Sequence, residues 1–273
     1  MAGWFRFARP VSRILYLVII SSRQHPFIQL IRSLHSAKGR REHGLFLLEG
    51  RNAVGAALET GFALREILAV AEETELSEIA ATQLVPVRRA TAEIVSYASE
   101  AQASPAILAL GEIPASHALV FGDRTLVLDG ISDPGNVGTL WRAADAAGAD
   151  DVFHLGGADP FSPKVVRSAA GSLFHLPPFS GEMPPDALIS HLREQNVPII
   201  AAQAHGGQNC FDFTWPARGA LVLGHETRGI SPEVSEAADF AVTIPRFGRA
   251  ESLNVAMAGT VLLYAWAQSQ QKS

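Results

Sequence analysis

Between Glu251 and Lys272 the chain carries no charged residue, and this final stretch constrains the fold more than any other. It follows Ile244-Pro245-Arg246-Phe247-Gly248-Arg249-Ala250, which reads as a strand end running into a basic, glycine-containing loop. A helix is expected from about Ser252, whose hydroxyl suits it to an N-cap. Val255, Met257, Val261, Leu262, Leu263 and Trp266 leave that helix no clearly polar face. A helix apolar all round is buried or lies in a membrane. The strongly apolar part, Val255 to Ala267, is shorter than a bilayer span and contains Gly259 and Thr260, so burial is the expectation. Ser252 and Asn254 then sit at a buried helix mouth, where polar groups need partners and a ligand could be one. An N-cap beside a solvated Asn is the plainer alternative.

What could bury such a helix is indicated upstream, where short apolar runs alternate with amphipathic segments. In the first half, strands are expected at Leu45–Leu48, Leu64–Ala71, Val85–Val87 and Ile107–Ile113. Helices are expected at Pro26–Ser36, Asn52–Glu59, Glu75–Ala81 and Thr91–Ser99, with Lys38-Gly39-Arg40-Arg41 as a basic turn. In the second half, the strands are Leu126–Asp129, Val152–Leu155, Pro198–Ala202, Ala220–Leu223 and Phe240–Ile244. Helices lie between them at Val137–Ala147, Pro163–Ala170 and Asp186–Gln195, and another opens at Ser231 with Pro232 in its first position; Leu173–Pro177 continues the alternation. The fold class is therefore α/β, with a small domain over residues 22–113, a linker over 114–123 and a second domain over 124–273.

Charge divides the chain in the same sense. Residues 1–51 hold nine Lys/Arg and two Asp/Glu, a balance of +7, while the remainder holds thirteen and twenty-five, a balance of −12. A basic front on an acidic body suggests an anionic partner, with a solvated arm as the alternative. Residues 1–21 have the basic-then-apolar order of a signal peptide, but the apolar run Ile14–Ile20 is short and no clean cleavage site follows. They read as an extension preceding the true start of the fold, either disordered or not part of the native protein. The single Cys210 excludes an internal disulfide and any multi-thiolate zinc site, which fits a reducing cytoplasm. His205 and Cys210 have no second pair beside them, so no metal site is expected.

Three strand ends carry unusual residues: Asp133–Asn136, Gly224–Gly229 and Pro245–Asn254. Ligands of open α/β sheets bind at such ends. No phosphate-binding P-loop, no Gly-x-Gly-x-x-Gly and no Gly-x-Ser-x-Gly occurs, which argues against nucleotidases, dinucleotide enzymes and α/β-hydrolases. The loops instead present backbone groups suited to the edge of a neutral purine. Arg142 lies six residues beyond Asn136 in an alanine-rich helix, either functional or paired with Asp145.

Asp133-Pro134-Gly135-Asn136-Val137-Gly138 with Arg142-Ala143-Ala144 resembles the first motif of the SpoU (TrmH) branch of the SPOUT methyltransferases. Leu223-Gly224-His225-Glu226-Thr227-Arg228-Gly229-Ile230 resembles the second, and Ile244-Pro245 followed by Ser252-Leu253-Asn254-Val255-Ala256 the third. Order and spacing fit across about residues 120–268, and the first half looks like the substrate-binding domain that precedes the catalytic one in many members. Departures are few: Ala143 stands where Thr is common, and Gln29 where Lys is frequent.

The resemblance implies a catalytic domain with a deep trefoil knot at its C-terminus, a homodimer, and S-adenosylmethionine as donor for methylation of a ribose 2′-oxygen in RNA. rRNA is the favoured target and tRNA the runner-up. A non-catalytic RNA-binding protein on the same scaffold, and antibiotic resistance through rRNA modification, stay open. By motif match, Leu223, Gly224, Gly229, Ile244 and Leu253 would hold the cofactor. Glu226 would order the site, while Asn136, Ser252 and Asn254 would position the ribose and Arg142. Arg142 would act either as base or as electrostatic stabiliser. Arg32, Lys38, Arg40 and Arg41 would meet RNA backbone, and Arg167 would be a phosphate clamp or an exposed helix charge.

Overall fold

A computed structural model of the chain describes residues 19–101, 103–114, 120–179 and 183–271. The first half runs β1 (Ile19–Ile20), α1 (Pro26–Ser33), α2 (Ala37–His43), β2 (Leu45–Glu49), α3 (Arg51–Glu59), β3 (Leu64–Ala69), α4 (Glu75–Thr82), β4 (Val87–Ala90), α5 (Ala92–Ala98) and β5 (Ile107–Glu112). Its five strands form one mixed sheet in the order β1-β4-β3-β5-β2. β2 is buried along its whole length, because Phe46 and Leu48 face one core while Leu45 and Leu47 face another.

Two readings of this half need correction. Ile19 and Ile20 belong to the sheet, pairing in parallel with Arg89 and Ala90, so they are not part of an unfolded extension. The rest of that extension, through residue 18, lies outside the described residues, as do residues 115–119 of the expected linker. Lys38–Arg41 is not a turn but the body of α2. Ser36 caps this helix by accepting from Gly39 N at 3.0 Å, and Gly44, at φ 62°, ends it. Such a cap and left-handed stop delimit a short helix even where the interior carries a glycine.

The second half runs β6 (Arg124–Asp129), α6 (Pro134–Ala146), β7 (Asp151–Leu155), α7 (Pro163–Ala169), α8 (Ser172–His175), α9 (Pro185–Glu194), β8 (Ile199–Ala202), β9 (Gln208–Asn209), β10 (Gly219–Gly224), α10 (Pro232–Ala237), β11 (Phe240–Thr243) and α11 (Val255–Gln271). Six parallel strands form a sheet in the order β7-β6-β10-β8-β11-β9. Helices cover both faces, which is why Leu126–Leu128 and Ala220–Leu223 are continuous apolar runs without alternation. Leu173–Pro177, read as part of the alternation, contains the four-residue helix α8 rather than a strand.

The two halves share a core. Phe46 of β2 packs on Phe161, with ring centroids 5.0 Å apart, and Phe62 meets Phe174 at 5.0 Å. Around that aromatic contact lie two charged ties. Arg40 donates Nε and Nη2 to Asp159 Oδ2 at 2.9 and 2.6 Å, and Arg167 is hydrogen-bonded to Glu49. The remaining Glu49 oxygen accepts from Ser99 Oγ at 2.5 Å and from Glu100 N at 3.1 Å.

α11 is not apolar on every side in the sense of being buried all round. Ala256, Gly259, Leu262, Leu263 and Trp266 are buried, whereas Met257 and Tyr264 are 62% and 50% exposed. The buried face crosses α6 and β10 at glycine distance: a Cβ on Gly259 would stand 2.3 Å from Leu140 Cδ2 and 2.5 Å from Leu223 Cδ1. Trp266 stacks on Trp215 at 5.5 Å and donates to Pro216 O at 2.8 Å, which satisfies its indole N–H inside the core.

Candidate active site at the carboxyl edge of the second sheet

Because the six strands are parallel, the loops that follow them collect along one edge. From β6 the chain turns through α6 towards β7, while the next strand across, β10, leads to the other side of the sheet. Loops that diverge in this way leave a crevice between them.

Each of the three loops is held by a different local device. After β6, Asp133 caps α6 by accepting from Asn136 N at 2.9 Å, with Pro134 at the first helical position. That bond, with a lesser contribution from Lys164, keeps the Asp133 carboxyl below its ordinary pKa. After β10, His225 and Gly229 exchange both backbone hydrogen bonds at 2.9 Å, closing a tight turn with Gly229 at φ +74°. His225 Nδ1 accepts from Thr227 N at 3.1 Å, which assigns the proton of the neutral ring to Nε2. The turn leaves no room at Gly224, where a Cβ would lie 2.2 Å from the backbone of Gly229 and Ile230.

After β11, Asn254 caps α11 through its Oδ1, accepting from Ala256 N at 2.9 Å and Met257 N at 3.3 Å. This corrects the expected start at Ser252. The helix begins at Val255, and Ser252 is an exposed loop residue on the lip of the crevice.

The three loops are joined through side chains. Asn136 Nδ2 donates to Glu226 Oε1 at 3.0 Å, and Asn136 Oδ1 accepts from Asn254 Nδ2 at 3.1 Å. Glu226 also accepts from the backbone N–H groups of Asp133 at 3.3 Å and Ser132 at 3.4 Å. Burial by itself would raise the Glu226 pKa. The bond from Asn136, with the backbone donors of Glu226, Ser132 and Asp133, outweighs it and holds the carboxyl below its usual value.

Beside this bridge lies a cavity of about 840 Å³ whose walls include Leu223, Gly224, Glu226, Gly229, Ile244, Ser252, Leu253 and Asn254. Asn136 reaches its rim only through Glu226 and Asn254, and Arg142 is not among its lining residues. Arg142 is exposed on α6 and is not paired with Asp145, whose carboxylate meets His175 Nδ1 at 2.8 Å instead.

One residue of the edge was not singled out in the sequence. Asp129, at the end of β6, is buried and accepts from Ser231 N at 2.6 Å, which pins the β10 loop to the neighbouring strand. An aspartate closing the apolar run Leu126–Leu128 was the available signal. Ser231 occupies the N-cap position of α10, but its buried hydroxyl caps nothing and has no hydrogen-bond partner among the described residues.

Residues 123–264, more than half of the chain and the whole of this edge, match the SpoU rRNA Methylase family. The chain belongs to that family. It is similar to a 23S rRNA (guanosine(2553)-2′-O)-methyltransferase of Bacillus subtilis, with 32% identity over 90% of this chain and 97% of the relative. A 23S rRNA (uridine(2479)-2′-O)-methyltransferase of Streptomyces viridochromogenes is 33% identical over 90% of each chain. Among solved structures, the SpoU methyltransferase AviRb of S. viridochromogenes in complex with AdoMet superposes with a TM-score of 0.81, at 28% identity over 91% of this chain and 100% of that one. An AdoMet-bound rRNA methyltransferase of Sinorhizobium meliloti gives 0.82 at 27% identity, over 91% and 97%.

In this SpoU-family chain the first half has its own relationship: residues 25–109 match the MRM3-like substrate binding domain. The cations expected to meet RNA are distributed unevenly there. Lys38 and Arg41 are exposed on α2. Arg32 is half-buried, donating to Tyr97 O at 3.3 Å with Glu100 3.8 Å away. Arg40 is a correction: at 4% exposure, with Nη1 donating to the carbonyls of Leu34 and His35 and the rest of its guanidinium on Asp159, it fastens the two halves together. Arg167 is neither a free clamp nor a solvated charge, since its guanidinium is committed to Glu49. No helix of the described residues is long and apolar enough to cross a membrane.

Proposed function

We propose that this chain transfers a methyl group from S-adenosylmethionine to a ribose 2′-hydroxyl of ribosomal RNA. The observation that carries the reading is the bridge from Glu226 through Asn136 to Asn254. It joins one residue from each of the three motif loops beside a cavity walled by Leu223, Gly224, Gly229, Ile244 and Leu253. The rRNA relatives, similar over nine-tenths of this chain, favour rRNA over tRNA.

The cavity fits the cofactor. Its size, about 840 Å³, is that of a small-molecule site. Leu223, Ile244, Leu253 and Leu262 supply apolar wall, and the turn at Gly224, packed too closely on Gly229 and Ile230 to admit a side chain there, also lines it. Bound there, S-adenosylmethionine supplies an electrophilic methyl group on a sulfonium. The protein's share is to hold the acceptor ribose. Asn136 is fixed on both sides of its amide, Ser252 offers a hydroxyl on the lip, and Glu226 sets the geometry of the loops around them.

Arg142, exposed and without a carboxylate partner among the described residues, is free to hold a phosphate and stabilise the developing alkoxide. A guanidinium is too basic to take the proton itself. Lys38 and Arg41, with Arg32 behind them, would meet the RNA backbone.

The reading divides the chain into an RNA-binding domain over residues 22–113 and a catalytic domain from residue 124, with a homodimer formed through α11. The exposed face of that helix, with Met257 and Tyr264, is apolar surface of the kind that a second copy covers. It includes the trefoil knot. After β11, which is separated from β10 by β8, the chain comes back so that α11 lies on α6 and β10. It also places the enzyme in the cytoplasm. A crystal structure traced through residues 224–271 tests the knot, and fractionation tests the compartment.

The decisive experiment is calorimetric titration with S-adenosylmethionine and S-adenosylhomocysteine, followed by labelled-methyl transfer to total rRNA and tRNA. Saturable binding and label in rRNA are expected. Binding to neither ligand, with and without RNA, would sink the proposal, and label in tRNA alone would move its target.

A further inference from the structure

The loop Arg246–Glu251 walls the cofactor cavity on one side and a second cavity, of about 560 Å³, on the other. The second is closed by the turn at Ala204–Gly206; its charged lining residues are Arg246, Arg249 and Glu251, with the imidazole of His205 beside them. Arg246 Nη1 donates to the Glu251 carbonyl at 2.9 Å, which folds the loop on itself without neutralising the guanidinium.

The other cations of this half are disposed differently. Lys164, Arg167 and Arg193 hold the carboxylates of Asp133, Glu49 and Asp239, and Arg124 and Arg218 are spent on backbone carbonyls. Among the described residues from Arg124 on, the arginines left are Arg142, Arg228 and Arg249; Arg228 and Arg249, together with Arg246, whose one bond is to a carbonyl of its own loop, line these two cavities. In a half whose formal balance is acidic, positive charge is therefore concentrated at the edge where the methyl acceptor must enter.

Phe247, between Arg246 and Arg249 in the chain, is 94% exposed and stands at the cofactor cavity. An aromatic ring wholly in water contributes nothing to a core. Next to two guanidinium groups it is the combination that grips single-stranded nucleic acid, by stacking on a base while cations meet its phosphates.

Resting on the function proposed above, we infer that the cavity between His205 and Arg249 takes a backbone phosphate of the substrate RNA, with Phe247 stacked on an adjacent base. The acceptor ribose is thereby delivered to the neighbouring cofactor cavity. Sequence specificity resides elsewhere, because phosphate contact and stacking are both tolerant of sequence.

The test uses the full chain with Arg249→Ala and Phe247→Ala, both at exposed loop positions where the fold is not at stake. Binding of a fluorescein-labelled single-stranded RNA of mixed sequence is measured by anisotropy across a salt series, and S-adenosylhomocysteine binding by calorimetry. Arg249→Ala is expected to weaken RNA binding about tenfold and to reduce the salt slope by about one. Phe247→Ala is expected to weaken it about tenfold with the slope unchanged. Arg249→Ala, whose side chain does not line the cofactor cavity, should bind S-adenosylhomocysteine as the parent does.

If Arg249→Ala instead loses S-adenosylhomocysteine affinity and keeps RNA, the cavity holds the carboxylate tail of the cofactor and the inference is overturned. If both variants bind RNA like a parent that still methylates rRNA, the inference fails alone. If the parent neither binds RNA nor transfers methyl, the functional reading has failed and takes the inference with it.

Discussion

Asn136 and Glu226 stand ninety residues apart in the chain, and the amide of one donates to the carboxylate of the other at 3.0 Å. Glu226 is one-quarter exposed, so the bond is partly shielded from water, and two backbone donors share the carboxylate. The oxygen of the same Asn136 amide accepts from Asn254 Nδ2, and the Asn254 oxygen caps the last helix. One carboxylate thus sets the relative position of all three loops.

Acid should undo this arrangement. The Glu226 pKa is depressed below its ordinary 4.5, so the stability it contributes is present above that pH and is lost as pH falls through the lower folded-state value. Glu226→Gln should flatten part of the acid-side fall in urea stability below about pH 4.5. Near neutral pH, where wild-type Glu226 is ionised throughout, the variant should shift stability by a constant amount. A variant whose acid-side profile matches the parent would show that the carboxylate titrates without consequence for the fold.

Arg142→Ala is expected to lower the transfer rate by about a hundredfold or more, the scale for removing an electrostatic stabiliser of developing charge. S-adenosylhomocysteine affinity should stay within about twofold, since Arg142 is not among the residues lining the cavity. Single-turnover transfer to rRNA and calorimetry separate the two, and normal methylation by the variant would remove Arg142 from the chemistry.

Gly224→Ala and Gly229→Ala should behave differently although they are five residues apart. A Cβ at Gly224 meets the backbone of Gly229 and Ile230 at 2.2 Å, so the turn must open and cofactor affinity should fall at least about tenfold. A Cβ at Gly229 has nothing within 4 Å, and the cost is the strain of φ +74°, about 1 kcal/mol of stability. Equal S-adenosylhomocysteine affinity in the parent and Gly224→Ala would contradict the close-approach argument.

Arg167→Ala tests a structural tie against an RNA clamp. The Glu49 side chain is 1% exposed, so removing its partner leaves a buried charge at a cost of about 2–4 kcal/mol, the lower end reflecting the one-third exposure of Arg167. Guanidinium-induced unfolding should show that loss while the salt slope of RNA binding is unchanged. A changed slope with parental stability would restore the clamp.

The exposed face of α11 gives the prediction about assembly. Tyr264→Glu together with Met257→Lys places charge on the apolar face, and light scattering at micromolar concentration should change from dimer to monomer. A parent that is already monomeric would remove the dimer from the functional reading.

The order of strands and helices, and the three loops that hold the site residues, are written in local pattern. Leu126–Leu128 and Ala220–Leu223 are apolar without alternation because each lies between two layers of helix, and Asp133-Pro134 and Ser231-Pro232 mark helix starts by their own geometry. Such signals depend on a residue and its near neighbours, and reading along the chain recovers them. The tertiary structure alone decided which residues meet. Ser252 and Asn254 are equally able to cap a helix, and the choice fell to Asn254, whose amide also finds Asn136 118 residues away. Arg40 reads as a surface charge until Asp159 arrives from the other half to bury it, and α11 has no polar face in sequence yet leaves Met257 and Tyr264 in water. Burial and pairing depend on the order β7-β6-β10-β8-β11-β9, which brings loops together without regard to their separation in the chain. Local propensity carries no record of that order, because the energies that set it are contacts between segments rather than preferences within them.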